Sequence, residues 1–258
     1  YVDPTPEIIQ EMKQKQADHK AQRELLEELR GLPAETEDGR RVELSANISS
    51  AGDLAAVIKN DAESIGLFRS EFIYMGRDTL PTEEEQFKLY KLAAETMAGK
   101  RVIIRTVDIG NDKQASAFGL PKEVNPALGM RAIRVCLTRP DIFKTQLRAI
   151  LRASAFGRIA IMFPLITSVW EVWKAKEILE NVKTELDKNQ IPYDHHLEVG
   201  IMVETPAAAL ISDKLAKEVD FFSIGTNDLS QYTLVVDRNI QDSSQFFNPH
   251  HPAVLKLI

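Results

Sequence analysis

Two carboxylates stand just past short apolar runs. Glu204 follows Val199–Val203, and Asp228 follows Phe221–Ile224 by way of Gly225-Thr226-Asn227. Arginines and acids close two more such runs: Arg69 and then Glu71, Arg105 and then Asp108. Arg238 follows a short helical stretch after Asp228. Carboxylates with nothing basic beside them in sequence suit a hard divalent cation such as Mg2+. Arginine suits planar, bidentate recognition of phosphate. Acids and arginines delivered to one place therefore point to a phosphate-bearing anion that chelates metal. Each residue alone has a plainer reading. A strand-end arginine can be a surface ion-pair partner, Asp108 before Gly110 a turn residue, and Asp228 a helix cap. Glu71 could pair with Arg69 or a helix lysine. Their coincidence at several run ends, with apolar interiors, argues for a shared chemistry.

The elements that must position these residues alternate regularly. Strand patterns fall at about 42–47, 65–69, 102–106, 159–163, 199–203 and 220–224. Helical patterns fall at about 52–62, 82–98, 127–138, 140–155, 168–189, 206–217, 228–235 and 252–258. Alternating strands and helices predict parallel βαβ units. Nearly continuous apolar runs fit strands covered on both faces. The expected fold class is α/β: a TIM-type (β/α)8 barrel, incomplete, with about six βα units in this chain. An open doubly wound sheet is the alternative. In both architectures ligands bind at the carboxyl ends of strands, where the charged residues lie.

Residues 7–32 read as a solvated helix with apolar positions at helical spacing, ended by Gly31-Leu32-Pro33. The expected organisation is thus a helical linker over 1–33, leading from a further amino-terminal domain, and a carboxy-terminally truncated barrel over 34–258. The absence of an initiating Met and an end within a helical pattern suit that expectation.

The bulk composition excludes several classes. The net charge of −6 argues against a nucleic-acid or anionic-membrane surface. No apolar run approaches the roughly 20 residues of a membrane span. The one cysteine, Cys136, permits no intrachain disulfide, which fits a reducing cytoplasm. Cys136 reads as a small core residue. The pairs His195-His196 and His250-His251 lack zinc spacing and read as structural or solvated. Trp170 and Trp173 read as packing or subunit contact.

The loop Asp108-Ile109-Gly110-Asn111-Asp112-Lys113 has no Walker signature, which leaves Lys113 a weak candidate on its own. Asn125–Arg131 reads as a turn feeding a helix, with Arg131 in its first turns and Arg134 three residues on. One could face the site and the other a neighbour.

The longer motifs are specific. Gly66–Met75 (GLFRSEFIYM), Leu80–Gln86 (LPTEEEQ), Arg105–Gly110 (RTVDIG), Leu147–Gly157 (LRAILRASAFG), Ile161–Pro164 (IMFP), Met202–Ala208 (MVETPAA) and Asp220–Tyr232 (DFFSIGTNDLSQY) together resemble enzyme I of the bacterial sugar phosphotransferase system, the phosphoenolpyruvate–protein phosphotransferases. The resemblance covers nearly the whole chain. It fits this family better than its relatives, pyruvate phosphate dikinase and phosphoenolpyruvate synthase.

The resemblance implies a phosphoenolpyruvate-binding barrel that dimerises and requires Mg2+. By motif, Arg69, Arg105 and Arg238 correspond to the clamp on the substrate phosphate. Asn227, through its backbone, and Lys113 correspond to further substrate contacts. Arg131 corresponds to an accessory of the pocket, and Glu204 and Asp228 to the Mg2+ ligands. Asn111 stands where the family commonly has glycine, which leaves Lys113 the least secure of these. The family's phosphoryl-accepting histidine and catalytic cysteine motifs are both absent here. The implied reaction is phosphoryl transfer from phosphoenolpyruvate to a histidine of an amino-terminal domain, releasing pyruvate, then to a histidine-containing phosphocarrier protein for sugar uptake. This chain alone is expected to bind ligand without turnover. Two alternatives stand beside it: a ligand-controlled dimerisation module, and a dikinase-type enzyme.

Overall fold

A computed structural model describes residues 3–110, 116–120, 122–237 and 245–258. Among the described residues six parallel strands lie side by side in chain order: β1 (Ser45–Ile48), β2 (Ser64–Arg69), β3 (Val102–Arg105), β4 (Ile159–Phe163), β5 (Glu198–Val203) and β6 (Phe221–Ile224). Parallel crossovers are right-handed, so a strand order with no reversal sends every connection to one face of the sheet. The helices therefore cover one side, and the other becomes the concave side of a curled sheet. Residues of β1 and β6 line a common cavity on that side. The architecture is α/β, an incomplete TIM-type barrel of six βα units.

The helices are α1 (Pro6–Glu28), α2 (Leu54–Lys59), α3 (Glu83–Thr96), α4 (Ile133–Thr138), α5 (Pro140–Ser154), α6 (Val169–Lys188), α7 (Pro206–Leu210), α8 (Ser212–Leu215), α9 (Thr226–Leu234) and α10 (Pro252–Leu257). Capping boxes start α3 and α6. Thr82 and Glu85 satisfy each other's backbone N–H, as do Ser168 and Glu171. On α5 the residues Ile142, Phe143, Gln146, Leu147, Ile150 and Leu151 recur at helical spacing and are buried. Helix α1 has no buried residue. Just past its end, Arg30 Nη1 donates to Lys59 O at 3.0 Å.

Alternation sorts each strand into two faces. Val102, Ile104, Ile159, Ile161, Phe163, Val199, Ile201 and Val203 face the helices in the main core. Ile103, Ala160, Met162 and Met202, with Leu67 and Phe221, form a smaller cluster on the concave side. Strand β2 breaks the rhythm. Ala46 and Asn47 of β1 pair with Ile65 and Leu67, and on the other side Val102 and Ile104 of β3 pair with Ile65 and Phe68. An extra residue is thus inserted at Gly66-Leu67, a β-bulge that shifts the phase of everything after it. Strict alternation from Ile65 would turn Arg69 toward the helices. With the bulge, Phe68 enters the main core, and Arg69 pairs with Arg105 and turns to the cavity. A Cβ on Gly66 would sit 2.8 Å from Ser45 Cβ. Gly66→Ala is therefore expected to lower stability by about 1–3 kcal/mol, measured by urea denaturation. It should also weaken ligand binding through Arg69.

The structure corrects several expectations. β1 begins at Ser45, and Val42 and Leu44 are exposed. The helix expected over 127–138 is broken: Pro126–Leu128 makes one 3₁₀ turn, and α4 starts only at Ile133. Ala132 has φ +52°, a left-handed conformation no helix tolerates. Arg131 hence lies outside the helix. The pattern at 206–217 is split at Ile211 into α7 and α8. Trp170 and Trp173 are 56% and 55% exposed, so they do not pack within the chain. Among the described residues no helix is long and apolar enough to cross a membrane.

Candidate functional site

A cavity of about 560 Å³ opens at the carboxyl ends of the strands, within the usual range for small-molecule sites. Its walls carry Asn47, Arg69, Glu71, Phe72, Arg105, Asp108, Met202, Glu204, Ser223 and the run Gly225–Asp228. Arg69, Arg105, Asn227, Glu204 and Asp228 are thereby brought to one mouth. Arg131 stands one layer behind. Lys113 and Arg238 lie outside the described residues.

The two inner arginines are committed to acids. Arg105 is buried. Its Nη2 lies 2.5 Å from Glu71 Oε1 and 3.1 Å from Asp108 Oδ2. Arg131 donates from Nε to Asp108 Oδ1 at 3.0 Å and from Nη2 to Asp228 Oδ1 at 3.4 Å. Its Nη1 donates to the Tyr232 hydroxyl at 3.3 Å, which in turn donates to Ala127 O. Burial works against both charges. For Arg131 the facing Asp108 and Asp228 outweigh it, and for Arg105 Asp108, Glu71 and Glu204 do, so both guanidinium pKa values rise. Asp108 is the bridge between the two arginines. Sequence order could not reveal the Glu71–Arg105 and Asp108–Arg131 pairs, because in each the partner comes from another element.

Arg69 differs. It lines the cavity, and among the described residues its guanidinium has no ion-pair or hydrogen-bond partner. A cation facing a cavity without an internal acid is available to an anionic ligand.

Glu204 is held from two sides. Leu165, just after β4, has φ +55°, and this left-handed turn aims its N–H at Glu204 Oε1, 2.6 Å away. A Cβ on Gly225 would lie 2.7 Å from Glu204 Cβ and 2.9 Å from Oε2, so the two loops approach this closely only because residue 225 is glycine. Glu204 Oε2 is buried and has no hydrogen-bond partner among the described residues. Burial, with nearby Asp108 and Asp228 adding to it against Arg105, pushes the carboxyl up to about 8. A buried carboxylate oxygen aimed at a polar cavity with nothing to accept from is what a cation ligand requires. Asp228 lines the same cavity from the first turn of α9.

Among the described residues no group of three or more His, Cys, Asp or Glu is gathered for a metal. The residues present nonetheless fit Mg2+, which is usually held by one or two carboxylates while waters and substrate oxygens complete its octahedron. The start of α9, with Thr226 and Asn227 at the mouth, presents backbone N–H groups suited to an anion.

Residues 23–258 match the family described as PEP-utilising enzyme, PEP-binding domain. The chain is 52% identical over 258 residues to a phosphoenolpyruvate-protein phosphotransferase of Haemophilus influenzae. It is 49% identical over 257 residues to that of Staphylococcus carnosus and 50% identical over 257 to that of Bacillus subtilis. Each alignment takes in 100% of this chain and 45% of the relative, so the chain spans about half the length of the proteins it matches. With a match over nearly its whole length, the chain belongs to the PEP-binding domain family of PEP-utilising enzymes.

Proposed function

We propose that this chain binds phosphoenolpyruvate at the rim of the half-barrel together with Mg2+. One pairing carries the reading: a single cavity holds a guanidinium, Arg69, and a buried carboxylate oxygen, Glu204 Oε2, neither of which has a partner among the described residues. Arg69 grips the ligand phosphate, supported by Arg105 from the next strand. Backbone amides at Asn227 contact an anionic oxygen. Lys113 and Arg238 are assigned as further phosphate contacts by sequence motif. Glu204 and Asp228 hold the cation, and Arg131 positions Asp228 and Asp108. Mg2+, when bound, supplies charge stabilisation for an enolate and phosphate oxygens. Phosphoryl transfer passes through a loose transition state, so the arginines act mainly by orienting the group and balancing its charge.

In the whole protein, the proposed reaction is transfer of the phosphoryl group from phosphoenolpyruvate to a histidine in an amino-terminal domain, and then to a histidine-containing phosphocarrier protein for sugar uptake. We assign 1–33 as the linker to that domain, 34–258 as the barrel, and the cytoplasm as the compartment. A homodimer belongs to the same proposal. Exposed Trp170, Trp173 and Phe246 are apolar surface that supports it.

Calorimetric titration with phosphoenolpyruvate tests the binding reading. Heat is expected with Mg2+ and not with EDTA. Arg69→Leu is expected to weaken binding by ~30-fold or more, as for removal of one partner of a charged hydrogen-bonded contact. It should change stability by no more than about 0.5 kcal/mol, since no pair among the described residues is broken. Equal titrations with and without the metal, or an unaltered affinity in Arg69→Leu, would refute the assignment.

A further inference from the structure

Beneath the cavity floor, a buried amide on a helix joins the two strand ends that carry the arginines. Gln146 is fully buried on the inward stripe of α5. Its Oε1 accepts from Val107 N at 2.9 Å. Its Nε2 donates to Ser70 Oγ at 2.9 Å and to Tyr90 Oη at 3.2 Å. Ser70 Oγ in turn donates to Arg105 O at 2.6 Å. Ser70 sits between Arg69 and Glu71, and Val107 between Arg105 and Asp108. One side chain from outside the sheet thus fastens both charged turns, and the Ser70 hydroxyl ties the first to the second.

The polarity of this network is fixed by its ends. Val107 N–H can only donate, so the Gln146 atom facing it is the carbonyl oxygen and the amide NH2 points to Ser70. Arg105 O can only accept, so the Ser70 hydroxyl points at it and its oxygen receives from Gln146. Tyr90 likewise receives from Gln146 and donates to Gln86 Oε1 at 3.2 Å. That oxygen also accepts from Tyr74 Oη at 2.9 Å, and Gln86 Nε2 donates to Pro81 O at 3.3 Å. Every bond has a donor and an acceptor in only one consistent arrangement. Such a network specifies one geometry and resists a shifted one, because each shift strands a buried polar group.

We propose that Gln146 is a positioning residue for the ligand site, acting through Ser70 and Val107 to hold Arg69, Glu71, Arg105 and Asp108 in register. It touches no ligand. Its effect is on the geometry of the clamp, where displacements of about 1 Å carry large penalties. The proposal rests on the phosphoenolpyruvate reading of the cavity.

The test is a calorimetric comparison, with phosphoenolpyruvate and Mg2+, of the parent protein, Gln146→Met, Ser70→Ala and the double variant. Leu179→Ala, a deletion in the core under α6, serves as a control for lost stability. Melting temperatures of all five are measured alongside. Gln146→Met is expected to weaken binding about tenfold and Ser70→Ala severalfold. The double variant should be within twofold of Gln146→Met, because the two residues act through one linkage. Leu179→Ala is expected to melt lower and yet bind as the parent does. Binding by Gln146→Met within twofold of the parent overturns the proposal. So does an equal loss in Leu179→Ala, which would make the effect one of stability alone. Ser70→Ala removes a single hydroxyl and decides the matter if Gln146→Met does not fold, because unchanged binding in it breaks the linkage. If the parent protein takes up no phosphoenolpyruvate, the reading of the cavity fails instead.

Discussion

Glu204→Gln is expected to raise the melting temperature of the metal-free protein and to abolish the proposed Mg2+-dependent binding of phosphoenolpyruvate. Both outcomes follow from one carboxyl group. In the folded chain it is raised to about 8 from its ordinary 4.5. Below pH 4.5 the folded and unfolded states both keep the proton, and the group has no effect on stability. Between 4.5 and about 8 the unfolded state releases the proton while the folded state retains it, so stability falls as pH rises through that window. One unit of displacement corresponds to about 1.4 kcal/mol, which puts the penalty at pH 8 on the order of a few kcal/mol. Glutamine escapes it and still accepts from Leu165 N. The gap in melting temperature between variant and parent should therefore widen from pH 5 to pH 8. In the parent, Mg2+ must bind the ionised form, so its affinity should rise across the same interval. A pH series of calorimetric melts with and without Mg2+ reads all of this. A variant that melts below the parent at pH 8 would show that Glu204 is not strained, and one that still binds ligand in a Mg2+-dependent way that it is not a metal ligand.

Arg105→Met is expected to lower stability by about 3–5 kcal/mol, as when one partner of a buried ion pair is removed. Arg105 is 6% exposed and faces Glu71 and Asp108 directly. Methionine fills part of the volume but leaves two carboxylates buried together. Arg105 also holds down the Glu204 pKa, so its removal aggravates the strain there. The double variant Arg105→Met/Glu204→Gln should accordingly lose less than the two single effects predict, a coupling that denaturant titration of all four proteins measures. Strict additivity would mean that the two groups do not sense each other. A loss below about 1 kcal/mol for Arg105→Met would mean that solvent already compensates the acids.

The strand count, the parallel order and the placement of Arg69, Arg105, Glu204 and Asp228 after strands were readable because β2, β3, β5 and β6 end where their apolar runs end. The pairings were not. Glu71 could be matched with Arg69 two residues away, yet it meets Arg105 from the next strand. Arg131 looked like a helical residue, but Ala132 takes a left-handed turn that no local pattern of sequence announces. The bulge in β2 was hidden by the continuous run Ile65–Phe68, in which apolar residues reveal no phase. Gly66 inside that run was the available signal. Gln146 carries a signal of another kind, a glutamine on the apolar stripe of a strongly amphipathic helix, which is conspicuous once the stripe is drawn.

The sheet grows in the order in which the chain is synthesised: β1 pairs with β2, β2 with β3, and so on to β6. No strand has to wait for a later one to wedge between two already joined. As the polypeptide leaves the ribosome, each new strand–helix repeat can settle against the preceding one, with a loop closure that spans only that repeat. Nascent chains halted at successive lengths should gain structure in steps, one repeat at a time, rather than all at once on release.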